Sequence, residues 1–136
     1  MRSVDECLKV PLQNIKSPEG SLVVVENNLH LPFAVRRIYY LYDVPFGSER
    51  GGHAHKELQQ YLVALSGSFT VIVDDGTKRK EIFMNNPSEA LYIRSGIWRE
   101  INNFSSGSIC LVLASKEFAE SDYIRDYQNY LKFIAE

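Results

Sequence analysis

Short runs of β-branched and aromatic residues alternate along this chain with clusters of turn residues. The runs recur at intervals of about 8–12 residues, a spacing typical of antiparallel sandwiches and barrels. Asp74-Asp75-Gly76, between two such runs, is a strong hairpin signal. The pattern therefore predicts an all-β domain. The predicted strands are Leu8–Ile15, Ser21–Glu26, Ala34–Asp43, one that begins at the histidine pair of residues 53 and 55, Phe69–Val73, Thr77–Met84, Ala90–Ile93 and Ile109–Ala114.

After Ser115 the hydrophobic positions change to the spacing of an α-helix. These positions are Tyr123, Ile124, Tyr127, Tyr130, Leu131 and Ile134. Ser121 or Asp122 stands where a helix cap is expected. The sequence therefore predicts an all-β jelly-roll barrel with a C-terminal α-helix, folded as one domain over residues 1–136.

Length, composition and charge narrow the class of protein. A chain of 136 residues can bury one core, and 45% hydrophobic with 24% charged residues is ordinary for a soluble globular protein. The net charge of −2 gives no basic surface for nucleic acid. We find neither a membrane-length apolar run nor the apolar core of a signal peptide. We therefore expect a cytoplasmic protein that binds neither nucleic acid nor membrane.

Two of the three histidines, His53 and His55, follow a glycine pair at the start of a predicted strand. Side chains two residues apart on a strand point to the same face, so both imidazoles are expected on one side of the sheet. Imidazole is the side chain best suited to proton transfer near neutral pH, and it is also the commonest metal ligand. The pair therefore predicts either an acid–base site or a metal site.

The positions around this pair resemble the two sequence motifs of the cupin superfamily. In the first motif Gln60 replaces the usual glutamate ligand, and Gly67 keeps the usual glycine. In the second motif, which ends at Asn103, Arg99 replaces the usual histidine ligand. A guanidinium does not coordinate a metal ion and would repel one. The motifs therefore predict a cupin without a metal, in which Gln60 is a candidate substrate-binding residue.

Five runs of the sequence make a more specific resemblance. They are Arg50–Leu58, Asp74–Gly76, Gly96–Glu100, Phe104–Ser106 and Asp122–Tyr127. In these runs the chain resembles the dTDP-4-oxo-6-deoxyglucose 3,4-ketoisomerases, and the similarity extends over nearly its whole length. The resemblance implies a small metal-independent isomerase that needs no cofactor and acts on a thymidine-diphospho-sugar.

The same resemblance implies a homodimer with exchanged N-terminal strands. It also implies a pathway to a 3-amino-3,6-dideoxyhexose for surface glycans, such as lipopolysaccharide or an S-layer glycan. Carried over by position, the catalytic histidines of the family are His53 and His55. Some members have arginine where this chain has Glu19, and histidine where it has Arg99, so both positions are candidates for contact with the sugar.

The reaction itself is consistent with two imidazoles. Moving a carbonyl from C4 to C3 requires removal of the C3 proton, an enediol, and delivery of a proton to C4. One group with a pKa near neutrality can move the carbon proton, and a second can move protons between the two oxygens. We assign His55 as the carbon base and His53 as the oxygen shuttle, although the sequence leaves their order open.

Positively charged and aromatic residues complete the predicted site. Arg99 would stabilise the enediolate, while Arg37 and Arg50 can bind the pyrophosphate bidentately. Tyr39 shares a strand face with Arg37, so it is expected to line the same cavity. Trp98 either stacks on the thymine or fills the mouth of the barrel.

Arg99 is also expected to help set the configuration at C4, because arginine stays charged and cannot donate a proton as histidine could. The remaining donors, His53 and His55, lie on one strand. Removal at C3 and delivery at C4 would then take place on a single side of the sugar. From this we predict the gluco rather than the galacto 3-oxo product.

Two other functions stay open at this point. One is that of a dTDP-4-oxo-6-deoxyglucose 3,5-epimerase, which also removes protons beside a C4 ketone but pairs a histidine with an aspartate. That pairing cannot be located in the sequence. The other is a non-catalytic cupin that only binds a nucleotide sugar.

Overall fold

The computed structural model describes residues 2–27 and 31–136, and this part of the chain forms twelve strands and one α-helix. The strands are β1 (Lys9–Pro11), β2 (Gln13–Ser17), β3 (Gly20–Val24), β4 (Arg37–Tyr42), β5 (Arg50–His55), β6 (Gln60–Ser66), β7 (Phe69–Asp74), β8 (Arg79–Met84), β9 (Glu89–Ile93), β10 (Trp98–Asn102), β11 (Ile109–Ala114) and β12 (Tyr123–Ile124). The helix is α1 (Tyr127–Ile134). Short 3-10 turns lie at Val4–Glu6 and Glu120–Asp122.

The strands form two five-stranded sheets that pack face to face. The first sheet has the order β1-β9-β6-β11-β4, and the second has the order β12-β5-β10-β7-β8. All the pairings within them are antiparallel, as hairpins and Greek-key connections produce. This confirms the predicted all-β jelly roll with a C-terminal helix. The ladders end at the sheet edges, so the described strands make a sandwich rather than a closed ring.

The main hydrophobic core lies between the two sheets. Strand β7 shows how the sequence builds it, because Phe69, Val71 and Val73 alternate inward and are fully buried. They meet inward-facing residues of the first sheet, including Leu62 and Val112. A second cluster covers the outer face of the first sheet, where Leu12, Leu31 and Phe33 pack against Tyr61 and Leu113.

The C-terminal helix begins later than the hydrophobic spacing predicts. It starts at Tyr127, and the side chain of Asp126 caps it by accepting the backbone N–H of Asn129 at 2.9 Å. Tyr123 and Ile124 instead form a short strand on β5. The prediction of a helix from Tyr123 is therefore corrected. The hydrogen bonds of an open strand edge override local helical periodicity here.

Helix α1 covers the outer face of the second sheet. Trp98, Ala54, Ile124 and Tyr130 form the cluster beneath it. The Tyr130 hydroxyl lies 3.0 and 2.8 Å from the carbonyl oxygens of residues 74 and 96, which ties the helix to the end of β7 and to the turn before β10. The helix therefore holds the second sheet from outside, while the inner face of that sheet is free to carry a site.

The N-terminal segment does not form the single strand predicted over Leu8–Ile15. Strand β1 pairs with β9 of the first sheet, whereas β2 pairs with β3 as a separate hairpin. Ile15 and Leu22 on this hairpin are about half exposed, at 51% and 56%. The hairpin thus leaves apolar surface uncovered in the single chain. Within the described residues, the helix is too short and polar to cross a membrane.

Candidate active site

Strand β5 places the two histidines on the inner face of the second sheet. In the antiparallel register His53 lies opposite Arg99 of β10, and His55 lies opposite Tyr123 of β12. The residue between them, Ala54, points outward to the helix. Alternation along the strand therefore brings both imidazoles inward, as the sequence predicts. Their Nε2 atoms are 3.1 Å apart.

A cavity of about 300 Å³ opens beside the histidine pair, between the two sheets. His53 lines this cavity, but His55 lies behind it and is only 2% exposed. The ring of Tyr123 packs on both imidazoles, with centroid distances of 5.0 and 4.4 Å. The cavity is lined by Arg37, Tyr39, Leu41, Arg50, His53, Arg99, Val112, Tyr123 and Arg125.

The cavity wall is strongly positive. Arg37, Arg50, Arg99 and Arg125 line it, and the lining set contains no aspartate or glutamate, although Arg125 is paired with Glu120 outside the wall. Guanidinium groups bind phosphate oxygens in a bidentate manner and are weakly hydrated, which suits them to a partly buried anion site. The arrangement therefore favours a ligand that carries negative charge.

Two of these arginines hold tyrosine hydroxyls at the cavity. Arg99 Nη2 donates to the Tyr39 hydroxyl oxygen at 3.1 Å, and Arg37 Nη2 donates to that of Tyr123 at 2.8 Å. A hydroxyl oxygen that accepts from a guanidinium keeps its own hydrogen to donate. Each pair can therefore present an O–H donor to an oxygen of a bound ligand.

Both histidines are neutral at pH 7 in this structure. Burial, followed by the positive charge of Arg99, lowers the pKa of His53 from 6.5 to about 2. The same two causes lower the pKa of His55 to about 3. A neutral imidazole can accept a proton, so the pair can act as a base without first losing one.

A carboxylate stands on the far side of His55 from His53. Asp122 Oδ2 lies 3.3 Å from His55 Nδ1. A histidine–aspartate contact of this kind could not be located in the sequence. The sequence assigns Asp122 to a helix cap, and its contact with a residue 67 positions earlier follows only from the pairing of β12 with β5. The signal available was its place in the run Asp122–Tyr127.

The structure brings most of the predicted site residues together. Arg37, Tyr39, Arg50, Arg99 and His53 line one cavity. Tyr123 and Arg125 also line the cavity but are absent from the predicted site, because the sequence assigns Tyr123 to the packing face of a helix rather than to a strand beside His55.

Gln60 lies apart from the open cavity. It is 1% exposed and in phase with the core residue Leu62, so its side chain faces the interior between the sheets. Its Oε1 has no hydrogen-bond partner in the described part of the protein. Gln60 is therefore a neighbour of the site rather than part of its wall.

Trp98 and Glu19 lie away from this cavity in the single chain. Trp98 lies opposite Ala54 on the outer face of the second sheet and donates its indole N–H to Glu100 at 2.8 Å. Consecutive side chains of β10 point to opposite faces of the sheet, so Trp98 faces outward while Arg99 faces inward. Glu19 lies in the exposed turn between β2 and β3.

The positions of the cupin metal ligands hold a set that suits a metal poorly. Besides the two histidines they carry Gln60 and Arg99. No group of three or more His, Cys, Asp or Glu side chains gathers anywhere in the described ranges. Two imidazoles, one amide and one guanidinium therefore occupy the four positions.

Fold and site together define a class: a cupin-type domain with a buried histidine pair beside an arginine-lined cavity. The family model described as "FdtA: WxcM-like, C-terminal" matches residues 5–135. The chain is 44% identical over 126 residues to the protein of Aneurinibacillus thermoaerophilus named TDP-4-oxo-6-deoxy-alpha-D-glucose-3,4-oxoisomerase. That match covers 93% of this chain and 91% of the relative.

Two solved structures agree closely with this one. A 3,4-ketoisomerase from Helicobacter canadensis has a TM-score of 0.93 at 40% identity, covering 95% of this chain and 97% of that one. The sugar 3,4-ketoisomerase QdtA from Thermoanaerobacterium thermosaccharolyticum, in complex with TDP, has a TM-score of 0.92 at 36% identity, covering 94% and 93%. The chain therefore belongs to the FdtA family of sugar 3,4-ketoisomerases, which confirms the resemblance drawn from its motifs.

Proposed function

We propose that this protein moves the keto group of dTDP-4-oxo-6-deoxyglucose from C4 to C3. The observation that carries the proposal is His53, a neutral imidazole at the wall of a cavity lined by four arginines. The names of the relatives support a TDP-sugar substrate, and the structure of one relative is a complex with TDP. No redox cofactor or metal is needed, because the reaction only relocates protons and one C=O bond.

The diphosphate of the substrate has a direct effect on the base. Burial, and then the positive charges of Arg99, Arg125 and Arg37, hold the pKa of His53 so low that its imidazole is too weak a base to remove a carbon proton. A bound diphosphate neutralises part of that positive charge and so raises the pKa of His53. Binding of the anion thereby makes the base stronger in the complex than in the free protein.

In this mechanism His53, not His55, is the carbon base, because His53 lines the cavity and His55 is enclosed behind it. His53 takes the proton of C3, and the C–H electrons form a C3–C4 double bond while the C4 carbonyl becomes an oxyanion. The hydroxyl of Tyr123 protonates that oxygen and takes the proton of the C3 hydroxyl. Re-formation of a carbonyl at C3 and protonation of C4 complete the isomerisation.

The gluco product requires a donor on the other face of the sugar. In a gluco ring with equatorial hydroxyls, the hydrogens on C3 and C4 lie on opposite faces. Delivery from the same side as removal would therefore give the galacto product, so the single-sided argument for gluco is corrected. Tyr39 lies on β4 of the facing sheet, with its hydroxyl held by Arg99. It supplies the C4 proton, and the proton left on His53 then restores the phenol.

The proposed assembly is a homodimer with exchanged N-terminal hairpins. The β2–β3 hairpin carries half-exposed Ile15 and Leu22, and the edge strand β4 presents Ile38 and Tyr40, each 61% exposed. Apolar surface and an open edge of this kind need a cover. Glu19, at the tip of the hairpin, would reach a sugar only in the cavity of a second copy. Light scattering at micromolar concentration should give twice the chain mass; a monomer would contradict the assembly.

The chemistry of the product indicates which reaction follows this one. A 3-oxo sugar is the substrate of an aminotransferase, so the enzyme would supply a 3-amino-3,6-dideoxyhexose for lipopolysaccharide or an S-layer glycan. A nucleotide-sugar enzyme of this kind is proposed to work in the cytoplasm.

A second function also has an observation in its favour, because the His55–Asp122 contact is the pairing expected of a 3,5-epimerase. Incubation of the protein with dTDP-4-oxo-6-deoxyglucose in deuterated water separates the candidates. A 3-oxo isomer with deuterium at C4 supports the ketoisomerase. Deuterium at C5 with an unmoved ketone indicates the epimerase. Bound but unchanged sugar indicates a binding protein.

A further inference from the structure

We propose that Asp122 is a positioning residue which acts through His55 to fix the tautomer of His53, leaving Nδ1 of His53 as the base. The inference rests on the proposed function, because it names the atom that accepts the carbon proton in that reaction. The three side chains come from two places: the histidines from β5, and Asp122 from the turn that precedes β12.

The carboxylate of Asp122 is firmly placed. The backbone N–H of Glu57 donates to its Oδ1 at 2.8 Å, and that of Leu58 donates to its Oδ2 at 3.3 Å. Its side chain is only 12% exposed, and that of His55 is 3% exposed. Two backbone donors and enclosure leave the carboxylate little freedom to turn away from the imidazole.

The carboxylate determines which nitrogen of His55 carries hydrogen. Asp122 Oδ2 stands 3.3 Å from His55 Nδ1, and an ionised carboxylate can only accept. The contact is not aligned as a hydrogen bond in the structure, where Nδ1 has no aligned partner. Hydrogen bonds of catalytic groups are often loose before substrate binds and tighten in the complex. The Nδ1–H tautomer of His55 is therefore favoured.

The tautomer of His55 in turn determines that of His53. With hydrogen on Nδ1, a neutral His55 has a lone pair on Nε2. The Nε2 atoms of the two rings are 3.1 Å apart, so one must donate and the other accept. His53 therefore carries hydrogen on Nε2 and keeps a free lone pair on Nδ1. Nδ1 is then the nitrogen that can take the proton of C3.

Asp122 also stabilises the positive charge that forms on the histidine pair during the reaction. When Nδ1 of His53 accepts the proton of C3, the imidazolium donates from Nε2 to His55, which donates from Nδ1 to the carboxylate. The cations that act on His55 are Arg99, Arg37 and Arg125, of which Arg125 is paired with Glu120 at 2.8 Å. The described wall of the cavity offers no carboxylate to Arg99 or Arg37. Asp122 is thus the negative group in contact with the pair.

The variant Asp122→Asn tests the tautomer directly. The shorter backbone contact, 2.8 Å from Glu57, should keep the amide oxygen on that side and turn the NH₂ toward His55 Nδ1. The amide then donates to Nδ1, which moves the hydrogen of His55 to Nε2 and that of His53 to Nδ1. We expect kcat to fall by about 10²–10⁴-fold with KM little changed, as for a wrong histidine tautomer in a serine protease triad.

Nitrogen-15 NMR of labelled histidine rings reports the tautomers directly. They would not change if Asp122 only stabilised the fold. In the wild-type protein at pH 7, hydrogen should lie on Nδ1 of His55 and Nε2 of His53, and Asp122→Asn should reverse both. Asp122→Glu keeps an acceptor and should retain the tautomers and recover kcat to within about tenfold. The matched control is Asp126→Asn, an aspartate that caps α1 away from the cavity; it should leave kcat unchanged.

Either of two results overturns the proposal: opposite tautomers in the wild-type protein, or an Asp122→Asn variant that keeps the wild-type tautomers, whatever its kcat. The NMR measurement on the unaltered protein needs no activity. An inactive wild-type protein with the expected tautomers would contradict the proposed function and leave the role of Asp122 standing.

Discussion

Arg99 is a buried cation without a carboxylate partner in the described structure. It is 2% exposed, its Nε has no hydrogen-bond partner, and its Nη2 donates to a neutral phenol. Burying a charge without a counter-charge is costly. In the proposed function, this cost is offset when an anionic substrate or enediolate binds beside Arg99.

Replacement of Arg99 by methionine should therefore stabilise the empty protein. We expect the free energy of unfolding to rise by about 1–3 kcal/mol, since an apolar side chain of similar length replaces an uncompensated buried ion. Urea denaturation with and without TDP measures this. The stabilisation by TDP should shrink in the variant. A less stable variant with undiminished TDP stabilisation would contradict this account of Arg99.

Replacement of Arg99 by histidine should change the product. The variant releases the hydroxyl of Tyr39 and places a proton donor opposite His53, on the same inner face. We expect a larger share of the galacto 3-oxo sugar, seen as a small H4–H5 coupling in the proton NMR spectrum. The double variant with Glu19→Arg should increase it further. Should both variants yield only the wild-type epimer at a reduced rate, Arg99 binds substrate and does not set configuration.

At the scale of elements, the short strand β12 decides the form of the site. It carries Tyr123 into contact with both histidines and brings Asp122 beside His55. Helix α1 follows only after the cap at Asp126. The segment that covers the edge of β5 therefore supplies a carboxylate (Asp122), an aromatic side chain (Tyr123) and the N-cap of α1 (Asp126).

The N-cap of α1, Asp126, should affect the stability of the protein without affecting catalysis. Asp126→Ala removes the acceptor for the N–H of Asn129 and should lower the free energy of unfolding by about 1 kcal/mol. The cap lies outside the cavity, so kcat per folded molecule should not change. Thermal denaturation and the isomerase assay on the same sample check both parts. A loss of kcat at full folding would indicate that α1 takes part in catalysis.

The sequence could predict those parts of the site that depend on neighbours along a strand. His53 with His55, and Arg37 with Tyr39, share faces because side chains alternate. The order of the two histidines could not be predicted, since it depends on what covers each ring from another element. Tyr123 covers His55, and its neighbouring hydrophobic positions fit a helix as well as a strand. The segment becomes a strand because the backbone groups at the edge of β5 are available to pair with it.

At the scale of the whole molecule, the lowered pKa values of the histidines affect acid stability. Unfolded histidines become protonated below about pH 6.5, whereas His53 and His55 stay neutral in the fold down to about pH 2 and 3. The unfolded state therefore binds more protons as the pH falls below 6.5. Each histidine should then cost about 1.4 kcal/mol of unfolding free energy per pH unit.

The variant His53→Asn isolates this contribution. Relative to the wild-type protein, its unfolding free energy should fall less steeply between pH 6 and 4, by about 1.4 kcal/mol per pH unit. Carboxylates titrate in the same range, but they are common to both proteins and cancel in the difference. Urea denaturation at several pH values gives the slopes. Equal slopes would mean that His53 is protonated in the folded protein.

The same variant serves the central claim, which is that His53 moves the keto group without a metal. Proton NMR of dTDP-4-oxo-6-deoxyglucose with chelator-treated protein in deuterated water follows the reaction directly. The wild-type protein should convert the sugar to a 3-oxo isomer that carries deuterium at C4, at the rate seen before chelation. His53→Asn should bind TDP and leave the sugar unchanged. An unchanged sugar with the wild-type protein, or full turnover by His53→Asn, would contradict the account.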